Sequence, residues 1–194
     1  MAINYPLTLP TVTGVRSIEL QASNAVAISR SPFTFASQVH AYSGQMWSAS
    51  LTLPPMKLTA ARQWTAWLTS LRGQYGSFLL GDTSCCQISG TATSAIVNGS
   101  AGDNTVNVTT VGTILAGDMI QISTGADATL HKVLADRSGS GALEIWPALR
   151  KDRASIALTF TNAKGAFRLA SNEVSWSVDE ASIYGISFSA VEKI

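Results

Sequence analysis

Residues 44–80 read GQMWSASLTLPPMKLTAARQWTAWLTSLRGQYGSFLL, and their periodicity decides the fold. From Met46 to Leu53 the chain alternates, with Trp47, Ala49, Leu51 and Leu53 on one side and Ser48, Ser50 and Thr52 on the other, the period of a half-buried strand. Pro54 and Pro55 end it, because neither can donate to a sheet ladder. A helix over residues 60–72 follows, with Thr59 as the expected N-cap. Trp64, Trp67, Leu68 and Leu71 recur at i, i+3, i+4 and i+7, while Arg62, Gln63, Thr65, Thr69 and Arg72 fill the opposite side. Gly73 closes the helix, since it tolerates the left-handed conformation that terminal carbonyls need. So short a helix is marginal alone. It must dock on a sheet, with Trp47, Leu51 and Leu53 as its floor and Tyr75, Phe78, Leu79 and Leu80 in the next strand. The tryptophans read as core.

Outward from this block the chain is strand-rich. Ser17–Leu20 and Ala25–Arg30 are short β-like runs, followed by Phe33-Thr34-Phe35 and the Val39–Tyr42 segment. The stretch from Ser29 to Gly44, with Arg30, Gln38, His40 and Tyr42 and few large aliphatics, reads as a projecting hairpin whose exposed backbone a neighbouring subunit satisfies. Beyond Gly81-Asp82 the texture changes: Ala95–Val97, Thr105–Val111, Met119–Ser123, Leu130–Ala135, Leu143–Trp146 and Ile156–Phe160 are apolar runs spaced by turn signals. Such spacing predicts a small β-barrel or sandwich, OB-like or similar, over residues 82–161. After Lys164-Gly165 the first texture returns, with Phe167 and Leu169, then Trp176 among Val174 and Val178, then Tyr184, Ile186 and Phe188. These last strands have no helix of their own. The expected organisation is therefore a mainly β, split sandwich domain of residues 1–81 and 162–194 with one helix, interrupted by the 82–161 module.

Composition narrows the function. A formal net charge of +1 gives no electrostatic footprint for nucleic acid. Charged residues are 13% of the chain, about half the roughly 25% of an average soluble domain, which points to a surface covered by other subunits. The opening MAINYPLTLP lacks the cationic and apolar regions of a signal peptide, and no apolar run reaches the roughly 18 residues of a membrane span. A soluble chain made in the cytoplasm, without a membrane anchor, is expected. Adjacent Cys85 and Cys86 are read as reduced, because a bond between neighbours is strained.

Catalytic chemistry finds little support. His40 and His131 have no metal-ligand spacing to Cys, Asp or Glu, so neither metal nor cofactor is expected. Ser84-Cys85 lacks a nucleophile elbow, and the Gly/Ser loop at 138–141 lacks the lysine of a phosphate cradle. Asp118, Asp136 and Glu144 are read as solvated turn and strand-face carboxylates rather than a glycosidase pair. Trp146, beside Pro147, is the one candidate for stacking on a sugar, with a barrel core residue as the alternative.

Three blocks carry a resemblance: MWSASLTLPPMKLTAARQWTAWLTSLRG at 46–73, the GDMIQI, LHKVLAD and LEIWPALR series at 117–150, and KGAFRLASNEVSWSVDEASIYGISFSAVE at 164–192. Together they resemble the distal tail protein of bacteriophages with long non-contractile tails. The resemblance implies a homo-hexameric ring with a tube-like split domain, a structural virion component that performs no reaction. Its implied partners are the tail tube protein, the tail tip hub protein and the tape measure protein, with viral DNA passing through the lumen. A carbohydrate-binding accessory module at the tail tip, carried by Trp146, is the alternative.

Overall fold

The structure, a computed structural model, describes residues 3–82 and 87–194. Ser84, Cys85 and Cys86 lie outside the described residues. In chain order the first elements are β1 (Ser17–Arg30), β2 (Ser37–Thr52), β3 (Met56–Lys57), helix α1 (Leu58–Ser70) and β4 (Phe78–Leu80). A second group follows: β5 (Ala95–Gly99), β6 (Thr105–Thr110), β7 (Thr113–Ile114), β8 (Met119–Ile122), β9 (Thr129–Val133), β10 (Arg137–Ser138), β11 (Gly141–Trp146) and β12 (Arg153–Thr159). The chain ends with β13 (Gly165–Leu169), β14 (Trp176–Val178) and β15 (Ile183–Glu192). The protein is mainly β, with α1 the sole α-helix among the described residues. No helix among them is long and apolar enough to cross a membrane.

The first and last groups build one antiparallel sheet in the order β1-β2-β15-β13-β4, with β3 and β14 flanking β15. Strand β2 alternates as its sequence dictates: Trp47, Ala49, Leu51 and Leu53 are buried, and Ser50 and Thr52 face solvent. Phe188 and Ala190 of β15 lie beside Leu51 and Ala49, extending the apolar floor. On it rests α1, whose Ala61, Trp64 and Leu68 are buried together with Leu71 beyond its end. Full burial of each such large side chain contributes roughly 1.5–3 kcal/mol. The N-terminal segment straps the helix from outside: Trp64 Nε1 donates to Thr13 Oγ1 at 2.9 Å, Trp67 Nε1 to the Thr8 carbonyl at 2.8 Å, and the Tyr5 hydroxyl to the Ser70 carbonyl at 2.6 Å.

The helix starts differently from expectation, while its far end is closed as expected by a left-handed Gly73. Thr59 is not the cap; the cap position is Lys57, without a side-chain bond, because the β3–β15 ladder pairs Lys57 with Ile183 and runs straight into the first turn. At the other end Arg72 and Gly73 both adopt left-handed backbone, at φ 52° and 67°. A Cβ on Gly73 would stand 2.8 Å from Asn172 Oδ1, so this position serves close packing as well as chain reversal. The two runs expected at Ser17–Leu20 and Ala25–Arg30 are one 14-residue strand, joined through Gln21–Asn24 by pairing with Gln45–Ser48.

All six predicted strands of the middle segment close into a barrel, ordered β11-β6-β5-β12-β8-β9. Its interior holds Val97, Val106, Val108, Ile120, Ile122, Leu143, Ile145 and Leu158, a core of its own. Its outer wall is also used. Met119, Leu130 and Trp146 leave the barrel core and join the sheet's core instead.

Candidate subunit-contact surface

Past a register shift between Asn24 and Val26, the β1–β2 hairpin continues as an arm with every residue from 25 to 44 exposed except Ser31. Strand β1 pairs only with β2, so the arm's outer edge carries no ladder among the described residues. At about 3.3 Å per residue the arm reaches roughly 20 Å beyond the shift.

Alternation gives the arm two unlike faces. Val26 opposes Ala41 and Ile28 opposes Val39, which puts four apolar side chains on one face, continued by Arg30 opposite Ser37. Ile28 is 68% exposed and Val39 60%. Ala27 opposes His40 and Ser29 opposes Gln38 on the other face, where the His40 and Tyr42 rings meet edge to face at 4.6 Å. At the tip Ser31 Oγ accepts from the Phe33 and Thr34 amides, both at 3.3 Å, and the Phe35 amide donates to the Ser31 carbonyl at 3.0 Å. This turn presents Phe33, 92% exposed, and Phe35, 71% exposed. Arg30 is the arm's single formal charge.

The predicted contact residues Arg30, Gln38, His40 and Tyr42 all lie on this arm, Gln38 and His40 on the polar face and Arg30 at the end of the apolar one. The apolar face itself, Val26, Ile28 and Val39 with the Phe33 and Phe35 tip, was missing from that set. Its signal was the period-two spacing of small aliphatics in AVAISR and QVHAY.

Arm and barrel are held to a common base. Trp47 Nε1 donates to the Leu130 carbonyl at 2.9 Å, and Trp146 Nε1 donates to Asn24 Oδ1 at 2.7 Å. Gln45 accepts twice, its Oε1 from the Ala148 amide at 2.7 Å and its carbonyl from Arg150 Nη2 at 2.6 Å. The Arg150 guanidinium also grips Glu192, with Nη2 2.7 Å from Oε2, and that oxygen accepts the Trp47 amide at 3.1 Å. A buried carboxylate so placed has its charge and its hydrogen bonds satisfied together.

Three expectations are corrected. Trp146 does not offer a face to sugar: it is buried where barrel meets sheet, because the sheet covers the barrel's outer wall there. Trp176 is not core; it is 45% exposed, on a strand that pairs with β15 alone among the described residues. Asp118 is not solvated but buried, its Oδ1 accepting from the Ser89 amide at 2.6 Å and its Oδ2 from the Leu115 amide at 2.9 Å. Trp47, Leu51, Leu53, Trp64, Leu68 and Leu71 are buried, and Trp67 is half-buried.

His131 is enclosed in the barrel. Its Nδ1 lies 2.7 Å from the Pro147 carbonyl, which can only accept, so Nδ1 bears the proton and Nε2 accepts from the Thr129 hydroxyl at 2.9 Å. Burial pushes its pKa down to about 4, so the ring is neutral near pH 7. Asp136 Oδ1 accepts the Ala116 amide at 2.7 Å, and Glu144 points to solvent from β11. No group of three His, Cys, Asp or Glu side chains among the described residues is placed to hold a metal ion. Neither protein-family models nor curated proteins match the chain.

Proposed function

We propose that this chain is a structural subunit of a bacteriophage tail tip, resembling the distal tail protein, and that it closes into a homo-hexameric ring between the tail tube protein and the hub protein. It carries out no reaction in this role. The ring leaves a lumen for the tape measure protein and then viral DNA, and its place is the virion. The observation that supports this best is the arm. Its apolar face and aromatic tip are exposed, and an edge that carries no ladder among the described residues runs beside them. Such a surface asks for a partner, and ring closure through heterologous contacts requires one projecting patch and one receiving patch on each copy.

Native mass spectrometry tests it. The parent protein is expected as a closed oligomer. Ile28→Asp combined with Val39→Asp, at two positions already in water, is expected to leave the fold intact and yield monomer. A parent that is monomeric at every concentration, or a variant with unchanged assembly, contradicts the proposal.

A further inference from the structure

The chain is nearly neutral, yet four of its 13 lysines and arginines line one cavity of about 220 Å³ where barrel and sheet meet: Arg150, Lys151, Arg153 and Lys193. The Ala126–Thr129 segment and Ile194 complete the lining. Two cations there are already neutralised. Arg150 is forked onto Glu192, and Lys151 Nζ lies 2.7 Å from Asp127 Oδ1.

The other two are not. Among the described residues Arg153 Nη2 donates only to the Asp127 carbonyl at 3.2 Å, and Lys193 Nζ only to the Ala126 carbonyl at 3.4 Å. Arg153 Nε is buried without any acceptor, one of two such side-chain atoms among the described residues. An unpaired guanidinium N–H away from water costs free energy. Asp127 feels the surplus: its hydrogen bond to Lys151 and the fields of Lys151, Arg153 and Lys193 hold its carboxyl below the usual range.

We propose that this cavity is a binding site for a phosphate-class oxyanion, with Arg153 and Lys193 as its principal ligands and Lys151 at its rim. The two uncompensated cations match a dianion. The planar guanidinium of an arginine suits phosphate oxygens, where a lysine supplies a point charge. The cavity's size suits a small group.

Isothermal titration with inorganic phosphate, against chloride at equal ionic strength, tests the site. Saturable binding is expected, weakened at least about tenfold by Arg153→Gln, the loss of one charge-assisted contact. Asp127→Asn is expected to tighten binding several-fold by removing a carboxylate from the cavity lining, a gain that misfolding cannot imitate. Phenyl phosphate titrated in parallel separates the sources: equal affinity assigns the site to a phosphoryl group on a larger molecule, and binding of inorganic phosphate alone assigns it to the free ion. No saturable heat with the parent and Asp127→Asn, or unchanged affinity in folded Arg153→Gln, overturns the proposal.

Discussion

Trp47 of β2 and Trp146 of β11 meet edge to face, with ring centroids 4.5 Å apart and planes at 89°. Each indole N–H reaches across the junction, to Leu130 and to Asn24 respectively, so one aromatic pair ties the barrel to the root of the arm. Trp146→Ala removes a buried ring and is expected to cost about 3–5 kcal/mol. Urea unfolding measures it, and a midpoint equal to the parent's would show that the pair holds nothing together.

Arg150→Met should be costly for a different reason. It leaves the Glu192 carboxylate buried without its cation, a change worth about 3–5 kcal/mol. Arg150→Met together with Glu192→Leu is expected to recover much of that loss, because the uncompensated charge goes with the second substitution. Urea unfolding of the double variant at or below the Arg150→Met stability would contradict this account.

His131 should make stability depend on pH. Its folded pKa, near 4, lies below the ordinary 6.5, so between those values the unfolded chain binds more protons and stability falls on acidification. The slope is at most about 1.4 kcal/mol per pH unit, with the full loss reached below the folded pKa. The contribution is intact above pH 6.5. His131→Gln keeps a donor and an acceptor without the titration, so its thermal midpoint should vary less from pH 7 to 4 than the parent's. Equal profiles would exclude His131 as the cause.

In the helix, Trp64 and Trp67 share a stripe but not a depth. Trp64 is fully buried and Trp67 only half, with one edge turned to the Thr8 carbonyl. Trp64→Ala is expected to cost about 3–5 kcal/mol, and Trp67→Ala less. Chemical denaturation ranking them the other way would mean that the N-terminal strap contributes more than the sheet beneath.

Periodicity carried the helix and the buried side of β2, and short apolar runs between turn signals carried the six barrel strands, among which β8 is buried on both faces. Periodicity failed where a face is covered or bared by something distant in sequence. Trp146 alternates outward from the barrel interior, and only the docked sheet buries it. Trp176 alternates with Val174 and Val178 like a core strand, yet β14 sits at an edge. Gln21–Asn24 has no large apolar residue, so the continuity of β1 rests on pairing with β2 and leaves no local signal. Asp118 follows a turn glycine and looks solvated until the Ser89 and Leu115 amides close on it. The arm was legible as a hairpin. Its exposed apolar face was not, since Val26, Ile28 and Val39 in a strand pattern read equally as core.

The most direct measurement is the rotational symmetry of particles formed by the purified protein, imaged by electron cryomicroscopy. The account predicts a closed ring of sixfold symmetry with an open centre, each arm lying across the boundary to the next copy. Monomers at every concentration, or assemblies in which Val26, Ile28 and Val39 remain in solvent, would contradict it.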